Sequence, residues 1–179
     1  MPLRKAGLVA LRYKNGRVEV CVVSSRKYEG RWVLPKGTIE KHEKPRQAAV
    51  REGFEEAGVL GNTVKPLRIF LNDNSRTVPK ARASRVYYPL ELQLAADKWP
   101  EKKIRQRKWV ALDQLSEKRK YKRVWWVVRQ MRRVDRKGWQ ALLRNLRHAR
   151  KLSRIEKKHL IETRDRGGKI GFPTDRRAA

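Results

Sequence analysis

Short apolar runs separated by turn-forming residues occupy the first two thirds of this 179-residue chain. Two of the runs flank Asn15-Gly16, a dipeptide typical of two-residue hairpin turns, and therefore predict a β-hairpin. The short run Trp32-Val33-Leu34 leads into Pro35-Lys36-Gly37, where proline and glycine are expected to break regular structure. A polar loop is expected over 72–84. The predicted strands are Lys5–Tyr13, Val18–Ser24, Val64–Leu71, Arg85–Leu94 and Lys108–Val110.

Helical signals fall between and after these strands. Pro45 suits the first turn of a helix, and Gly58 suits its end. The segments Val124–Val134 and Trp139–Ala149 repeat apolar residues every three to four positions and carry arginines on their opposite faces. Leu112–Leu115 begins a turn or a helix. Because strands precede and follow one central helix, the order predicts a mixed α/β fold rather than an alternating parallel one.

The most informative segment is Gly37–Gly58, which reads GTIEKHEKPRQAAVREGFEEAG. On a helix, Glu52, Glu55 and Glu56 stand at i, i+3 and i+4 and share one face. Their mutual repulsion would destabilise the helix unless a cation lies on that face. Oxygen ligands without thiols suit Mg²⁺ or Mn²⁺, so the segment predicts a metal-dependent phosphate site.

The spacing G-x5-E-x7-R-E-x-x-E-E-x-G resembles the Nudix box, the signature of hydrolases that cleave a diphosphate linked to a further group. Every charged and glycine position of that signature is present. The residue after Arg51-Glu52 departs from it, because the family usually has a large aliphatic residue where this chain has Gly53. We expect that glycine to leave a gap in the packing face and to cost about 1 kcal/mol of helix stability relative to alanine.

The resemblance covers roughly residues 4–134 and implies a Nudix fold, a mixed β-sheet sandwiched between helices (α/β/α), with the box as a loop–helix–loop. We therefore divide the chain into a Nudix hydrolase domain at 1–135 and a basic helical extension with a loose tail at 136–179. The helix at Trp139–Ala149 is expected to pack on the domain or on a second subunit. From Thr163 onward, the composition is typical of a loose tail.

The resemblance also implies the roles of the acidic residues. Glu52 and Glu56 are the expected principal metal ligands, and Glu55 is a further ligand or the base that activates water. In this family the base can also come from outside the box, so the resemblance leaves its identity open. Arg51 would orient one glutamate through a charge-assisted hydrogen bond. The implied catalytic residues are Arg51, Glu52, Glu55 and Glu56, and the implied metal ligands are Gly37 (through its carbonyl), Glu43, Glu52, Glu55 and Glu56. Glu43 has the alternative role of stabilising the loop.

The flanks of the box bear on the substrate. Val23–Arg26 and Arg31–Gly37 resemble the diphosphoinositol polyphosphate phosphohydrolase branch, which also hydrolyses diadenosine polyphosphates. The implied substrate-binding residues are Arg4, Ser24, Ser25, Arg26, Lys36, Gly37, Thr38, Arg85, Arg105 and Lys122. The branch has a run of glycines at Lys36-Gly37-Thr38 and an acidic residue at Lys108. Both departures add positive charge, which favours substrates with long phosphate chains. They do not distinguish an inositol-based substrate from an adenosine-based one. Other nucleotides, such as a nucleoside triphosphate or an RNA 5′ end, are alternative substrates.

A formal net charge of +29 is the second unusual property of the chain. Residues 119–179 hold 21 Lys and Arg against 5 Asp and Glu. Such a field attracts polyanions, both phosphorylated small molecules and nucleic acid. Nucleic-acid binding through the basic tail is therefore the alternative of a different class, and Trp125, Trp126 and Trp139 permit it. Their place among apolar helical residues favours core packing, and we found no RNA-binding module motif.

The remaining expectations concern the location of the protein. The single cysteine, Cys21, cannot form an internal disulfide, which fits a reducing cytoplasm, and its apolar surroundings predict a buried thiol. No apolar stretch approaches the length of a transmembrane helix, and the N-terminus lacks a signal-peptide core. We therefore expect a cytoplasmic protein with no membrane span, and the sequence leaves its oligomeric state open.

Overall fold

The structure is a computed structural model that describes residues 3–64, 67–74, 76–116 and 120–149. The described residues form one eight-stranded mixed sheet with central order β3-β2-β1-β7-β5, while β4 pairs with β1, β6 with β7 and β8 with β2. The strands are β1 (Lys5–Lys14), β2 (Arg17–Ser24), β3 (Trp32–Val33), β4 (Lys36–Thr38), β5 (Val59–Thr63), β6 (Ile69–Leu71), β7 (Arg85–Ala95) and β8 (Arg107–Ala111).

Helices cover both faces of the sheet. The helices are α1 (Pro45–Ala57), α2 (Lys122–Val134) and α3 (136–149). Alternate residues of β1 pack in two separate cores: Leu8 lies with Ala48 and Ala49 of α1, whereas Val9 lies with Val124 of α2. Because β1 is buried on both faces, its sequence is continuously apolar rather than alternating. The predicted α/β/α sandwich is confirmed.

Local signals predicted the first hairpin and the central helix correctly. Asn15 and Gly16 both have positive φ angles, 48° and 79°, as a two-residue hairpin turn requires, and they join β1 to β2. Pro45 occupies the first turn of α1, and Gly58 ends the helix at φ 62°. The Gly58 N–H donates to the Phe54 carbonyl at 2.8 Å. The carboxylate-bearing segment is thus a helix fixed at both ends.

Two strand predictions were wrong. Lys36–Thr38 is a strand, β4, because its backbone pairs with β1 in spite of Pro35 and Gly37. The predicted strand Val64–Leu71 is a strand only at Ile69–Leu71, and the segment before it, Val59–Thr63, forms the strand β5 that was not predicted. Residues 65 and 66 lie outside the described residues. Tertiary pairing with β7 explains β5, whose sequence contains both glycine and asparagine.

The expected packing gap at Gly53 was also wrong. Gly53 is buried, and a Cβ atom built on it would overlap Cδ1 of Leu8. Leu8 has no exposed surface, so its side chain occupies the space that a larger residue at 53 would need. The glycine therefore accommodates a tightly packed leucine of β1 rather than leaving a void.

The chain divides into two compact units, Met1–Leu146 and Arg147–Ala179, and only 147–149 of the second are described. Within the first unit, Trp139, Leu142 and Leu146 of α3 are buried in the same core as α2. This confirms the expected packing of α3 on the domain. The division after residue 135 stays a prediction, and the tail from Thr163 lies outside the described residues. None of the helices in the described ranges has the length and apolar character needed to cross a lipid bilayer.

Candidate active site

Arg51 connects the start of the box to the glutamates of α1. Its Nε and Nη2 each donate to the Glu43 carboxylate at 3.0 Å, and Nη2 also donates to the Thr38 carbonyl at 2.9 Å. Its Nη1 donates to Glu52 at 3.0 Å and to Glu55 at 2.9 Å. The hydrogen bond from Arg51 holds the pKa of Glu43 below its usual range. One guanidinium therefore orients three carboxylates, where the resemblance implied one.

Glu52 lies directly against the backbone of Gly37. A Cβ atom at residue 37 would overlap the Glu52 carboxylate, so a glycine is required for this approach. The pairing of Gly37 with Ala6 in β1 fixes the position of that backbone. Burial raises the pKa of Glu52, and the hydrogen bond from Arg51 only partly opposes the shift. The Glu52 carboxylate is thus partly desolvated, and the positive charge of Arg51 offsets that desolvation only in part.

Glu56 is the most buried carboxylate of the helix, at 6% relative exposure. It accepts a hydrogen bond from the Lys36 backbone N–H at 3.1 Å and forms an ion pair with Nη2 of Arg105. Burial raises its pKa, and the attraction of Arg105 opposes that shift. Arg105 also donates to Glu101 at 3.0 Å and to the Ser24 carbonyl at 2.7 Å.

Sequence reasoning named Arg105 as a substrate-binding residue and missed its partner. The structure places its guanidinium, 9% exposed, on Glu56. The two residues are 49 positions apart in the chain, so no local pattern could indicate the pair. Arg105 therefore positions the carboxylate of Glu56, and it also lines the cationic cleft beside β4.

A cleft of about 830 Å³ lies beside β4 and carries a strong excess of positive charge. Of the predicted substrate-binding residues, those that line it are Arg4, Ser25, Arg26, Lys36, Thr38, Arg85 and Arg105. Lys5, Lys27 and Arg123 add to its positive charge and were not predicted, because single basic residues in so basic a chain give no distinguishing signal. Asp73 is its one acidic lining residue in the described part of the chain.

The other predicted substrate-binding residues, Ser24, Gly37 and Lys122, are not among the residues that line this cleft. The Ser24 hydroxyl accepts from the Gln106 N–H at 3.0 Å, so it supports the β2–β8 connection. Lys122 lines a neighbouring cavity. Gly37 contacts Glu52, as described above. Lys108 lies outside the cleft lining, with its Nζ 5.8 Å from the centre of the Trp32 ring.

Several cleft residues are already engaged with the protein. Arg4 pairs with Asp73 at 2.6 Å, with both side chains more than half exposed. Nη2 of Arg85 donates to the backbone carbonyls of Asn72 and Asp73 at 2.6 and 2.7 Å, which ties the 72–74 loop to β7. Burial lowers the pKa of Lys36, and Glu56 opposes that shift. An anion entering the cleft would restore the environment that favours the charged lysine.

The acidic residues offer the oxygen ligands that a hard divalent cation prefers, but their side chains do not converge on one point in this arrangement. In the described residues, no three carboxylate, imidazole or thiol groups converge at one point. Arg51 contacts Glu52 and Glu55, while Glu56 faces Arg105. The donor set nevertheless consists of oxygen ligands, two of them with pKa values raised by burial. A bound cation would add to the positive charge that Arg51 and Arg105 already place beside those two carboxylates.

The tryptophans near the end of the described chain belong to the core. Trp139 is 3% exposed, and Trp125 and Trp126 pack against the same core cluster. The expected core packing is thus confirmed for Trp139, while Trp125 and Trp126 are only partly buried against that core. Nucleic-acid binding through the basic tail stays a prediction, since most of that tail lies outside the described residues.

A mixed sheet between helices, with a box-bearing helix beside a cationic cleft, defines a Nudix-type domain. The NUDIX domain model matches residues 1–132. The chain therefore belongs to the NUDIX domain family, whose hydrolases generally use divalent metal cations.

Individual relatives agree with this family. Nudix hydrolase 21, chloroplastic, of Arabidopsis thaliana is 36% identical over 114 residues, which cover 62% of this chain and 57% of the relative. Diphosphoinositol polyphosphate phosphohydrolase 3-alpha of Mus musculus is 47% identical over 58 residues, covering 32% of this chain and 35% of the relative. The chain thus spans about half, or less, of the length of the curated relatives it matches.

A solved structure supports the fold independently. The crystal structure of the C. elegans Ap4A hydrolase aligns with a TM-score of 0.54 at 22% identity, covering 80% of this chain and 99% of that one. At this identity the likeness concerns the architecture alone, and it agrees with the α/β/α sandwich.

Proposed function

We propose that the protein is a Mg²⁺-dependent hydrolase that cleaves a phosphoanhydride bond in a small molecule carrying several phosphates. The observation that carries the proposal is the placement of Glu52 and Glu56 on one helix face beside β4, whose Lys36 and Thr38 line the cationic cleft. Carboxylates that hold a cation and basic side chains that hold phosphates are the two components that such a reaction needs.

Glu52 and Glu56 would hold the metal, with Glu55 and the Gly37 carbonyl as further ligands. Mg²⁺, or Mn²⁺ in its place, supplies charge neutralisation at the phosphate oxygens and lowers the pKa of a bound water. Arg51 keeps Glu52 and Glu55 in place, and Arg105 keeps Glu56 in place. Glu43 acts through Arg51, to which it is doubly hydrogen-bonded, and so stabilises the loop. Glu55 is the most exposed of the three helix glutamates and is our candidate for the water-activating base.

The basic side chains of the cleft would bind the phosphate chain. Arginine offers a planar fork that matches phosphate oxygens, while lysine offers a mobile point charge. Arg26 is well suited to this role, because its side chain is 65% exposed and lies 3.9 Å from its nearest carboxylate, Glu101. With so many cations and one acidic residue lining the described cleft, a multiply charged ligand is favoured over a monoanion.

Diphosphoinositol polyphosphates and diadenosine polyphosphates are the substrates we propose. The first rests on the sequence similarity to the mouse phosphohydrolase, whose name states that activity. Both share dense negative charge and a phosphoanhydride bond. Nucleoside triphosphates and RNA 5′ ends remain alternatives.

A cytoplasmic location belongs to the same proposal and rests on Cys21, a buried free thiol whose pKa burial raises to about 12.

A substrate panel tests this proposal. The purified chain is incubated with a diphosphoinositol polyphosphate, diadenosine tetraphosphate or a nucleoside triphosphate, in Mg²⁺ or in excess chelator, and the products are separated by ion-exchange chromatography. We expect cleavage of at least one substrate that requires the metal. Cleavage of none, or cleavage at the same rate in chelator, would overturn the proposal.

A further inference from the structure

Four cationic side chains lie at the corner where α2 ends and α3 begins. Arg132 and Arg133 belong to the last turn of α2, and Arg136 and Lys137 belong to the first turn of α3. All four are exposed. Among the described residues, none of them forms an ion pair with a carboxylate. We call these four residues the α2–α3 corner.

The acidic residue between the two helices is already engaged with the backbone. The carboxylate of Asp135 accepts a hydrogen bond from the Gly138 N–H at 2.7 Å. Its carbonyl accepts a hydrogen bond from the Trp139 N–H at 3.0 Å, so Asp135 caps the start of α3. Asp135 therefore stabilises a helix end and forms no ion pair with the corner.

Helix stability explains only half of this arrangement. Cations in the last turn of a helix interact favourably with the negative end of its dipole, which accounts for Arg132 and Arg133. Cations in the first turn meet the positive end of the dipole, so Arg136 and Lys137 destabilise the start of α3. Like charges four residues apart also repel each other, and Arg129 and Arg133 are such a pair. A partner of opposite charge would relieve both costs.

The positive surface continues from the corner along both helices. Residues 120–146 hold nine Lys and Arg against one acidic residue, and all nine cations are exposed. At a rise of 1.5 Å per residue, Arg129 lies about 6 Å before Arg133 along α2, and Arg144 lies about 12 Å after Arg136 along α3. The cations therefore form an extended array on two helices, which suits a long polyanion better than a single phosphate group.

The apolar residues of this region argue against a membrane or a protein as the partner. Val124, Val127 and Met131 of α2 are buried in the core, so this side of the helix cannot enter a lipid bilayer. In the described part of the corner, Val134 is the one large apolar side chain that is exposed. Protein interfaces have an apolar centre that one valine does not supply. Nucleic acid, in contrast, is bound largely through contacts of Lys and Arg with its phosphates.

The aromatic residues favour a duplex over a single strand. Unpaired bases are bound by stacking on exposed aromatic rings. Trp139 is buried, and the guanidinium of Arg129 lies over the ring of Trp125, 4.9 Å from its centre. The surface thus presents cations in front of its aromatic rings. Duplex DNA carries one phosphate charge per about 1.7 Å of its axis, the density that such a surface attracts most strongly.

We infer that the α2–α3 corner binds the phosphate backbone of double-stranded nucleic acid without reading its sequence. Arg129 and Arg144 extend the contact along the two helices. The inference is independent of the proposed hydrolase function, because none of the four corner residues lines the cationic cleft.

The test compares two triple variants of the full chain. The corner variant carries Arg132→Gln, Arg133→Gln and Arg136→Gln. The control variant carries Lys14→Gln, Lys98→Gln and Lys103→Gln. The control residues are also exposed, lie outside both the corner and the cleft, and their loss lowers the net charge by the same amount. Both variants keep the basic tail, so a difference between them reports on the corner. Thermal unfolding of each variant establishes that it is folded.

Binding is measured by fluorescence anisotropy over a range of KCl concentrations. The probe is a short DNA duplex of mixed sequence with 5′-hydroxyl ends, so it carries no terminal phosphate chain that could enter the cleft. The single strand of the same sequence and phosphatidylserine vesicles are the comparison ligands. Excess chelator is present throughout.

We expect the corner variant to bind the duplex about tenfold or more weakly than the unaltered chain. Its salt dependence should be shallower by about 2–3 in the slope of log K against log salt, roughly one for each lost phosphate contact. The control variant should stay within about threefold of the unaltered chain, which should bind the duplex more tightly than the single strand.

Three results would overturn the inference. Equal weakening by the two variants would show that net charge alone attracts the duplex. Tighter binding of the single strand than of the duplex would show that the surface does not select a duplex. Loss of vesicle binding in the corner variant, with duplex binding unchanged, would show that the corner contacts an anionic membrane instead.

Discussion

The guanidinium of Arg105 pairs with the carboxylate of Glu56, and neither side chain is more than 9% exposed. The pair links the segment before β8 to the box helix α1. Because Arg105 also donates to Glu101 and to the Ser24 carbonyl, its position is fixed from three directions. Glu56 is thereby held in one orientation before any cation binds.

Loss of Arg105 should leave Glu56 as an uncompensated buried charge. For Arg105→Ala we expect a loss of about 3–5 kcal/mol in the free energy of unfolding, typical of breaking a buried pair from one side. Addition of Mg²⁺ should raise the unfolding temperature of this variant more than that of the unaltered chain, because the metal replaces the missing charge. Thermal unfolding with and without Mg²⁺ measures both effects. Unchanged stability of the variant would show that the pair does not hold Glu56.

Gly37→Ala should impair activity without unfolding the domain. The new Cβ atom would overlap the Glu52 carboxylate, which must then move away from the backbone. A displacement of about 1 Å at a reacting site costs on the order of 100-fold in rate, so we expect kcat to fall by that order. Steady-state kinetics, with circular dichroism as the check on folding, tests this. Full activity in the variant would contradict the close approach of Glu52 to Gly37.

Gly53→Ala tests the packing of Leu8. Alanine should stabilise a helix interior by about 1 kcal/mol over glycine, but overpacking a core typically costs about 1–3 kcal/mol. Because Cδ1 of Leu8 occupies the place of the new methyl group, we expect the variant to be less stable or at best equal. In a Leu8→Ala background the same change should be stabilising. A double-mutant cycle by chemical denaturation measures the difference, and additive effects would contradict the contact.

The pH dependence of metal binding follows from the buried glutamates. Burial raises the pKa of Glu52 and of Glu56 above the ordinary value of 4.5, so each holds its proton more tightly in the folded chain than in the unfolded one. In the absence of metal, the carboxyl groups of Glu52 and Glu56 therefore stabilise the folded chain fully below a pH of 4.5. This stabilisation is lost as the pH rises through their folded-state pKa values.

Mg²⁺ binds the ionised carboxylates and should offset this loss. The increase in unfolding temperature on adding Mg²⁺ is expected to be small near pH 4.5 and to grow toward neutral pH. Calorimetric unfolding across this range, with Glu52→Gln as the comparison, measures it. An increase that does not depend on pH would show that these two carboxylates are not the ligands.

The sequence predicted the helix α1 well and the lining residues of the cationic cleft less well. Pro45, Gly58 and the glutamate spacing are local signals, and α1 follows them at both ends. The partners of those glutamates are distant in sequence: Arg105 reaches Glu56 only because the segment before β8 lies beside α1. The strand β4 was missed for the same reason, since its pairing with β1 outweighs the local preference of Gly37. The role of Gly53 depends on Leu8 of another element, which no helix pattern reveals.

We propose that the glutamates of α1 support metal-dependent cleavage of a phosphoanhydride bond. The most direct measurement is turnover of diadenosine tetraphosphate in Mg²⁺ by the unaltered chain, Glu56→Gln and the control Asp113→Asn. Asp113 is 64% exposed and pairs only loosely with Arg17, at 3.8 Å. We predict a fall of about 100-fold or more for Glu56→Gln, since metal charge stabilisation contributes several kcal/mol, and no change for Asp113→Asn. Equal turnover by Glu56→Gln and the unaltered chain would show that the Glu56 carboxylate does not hold the metal during the reaction.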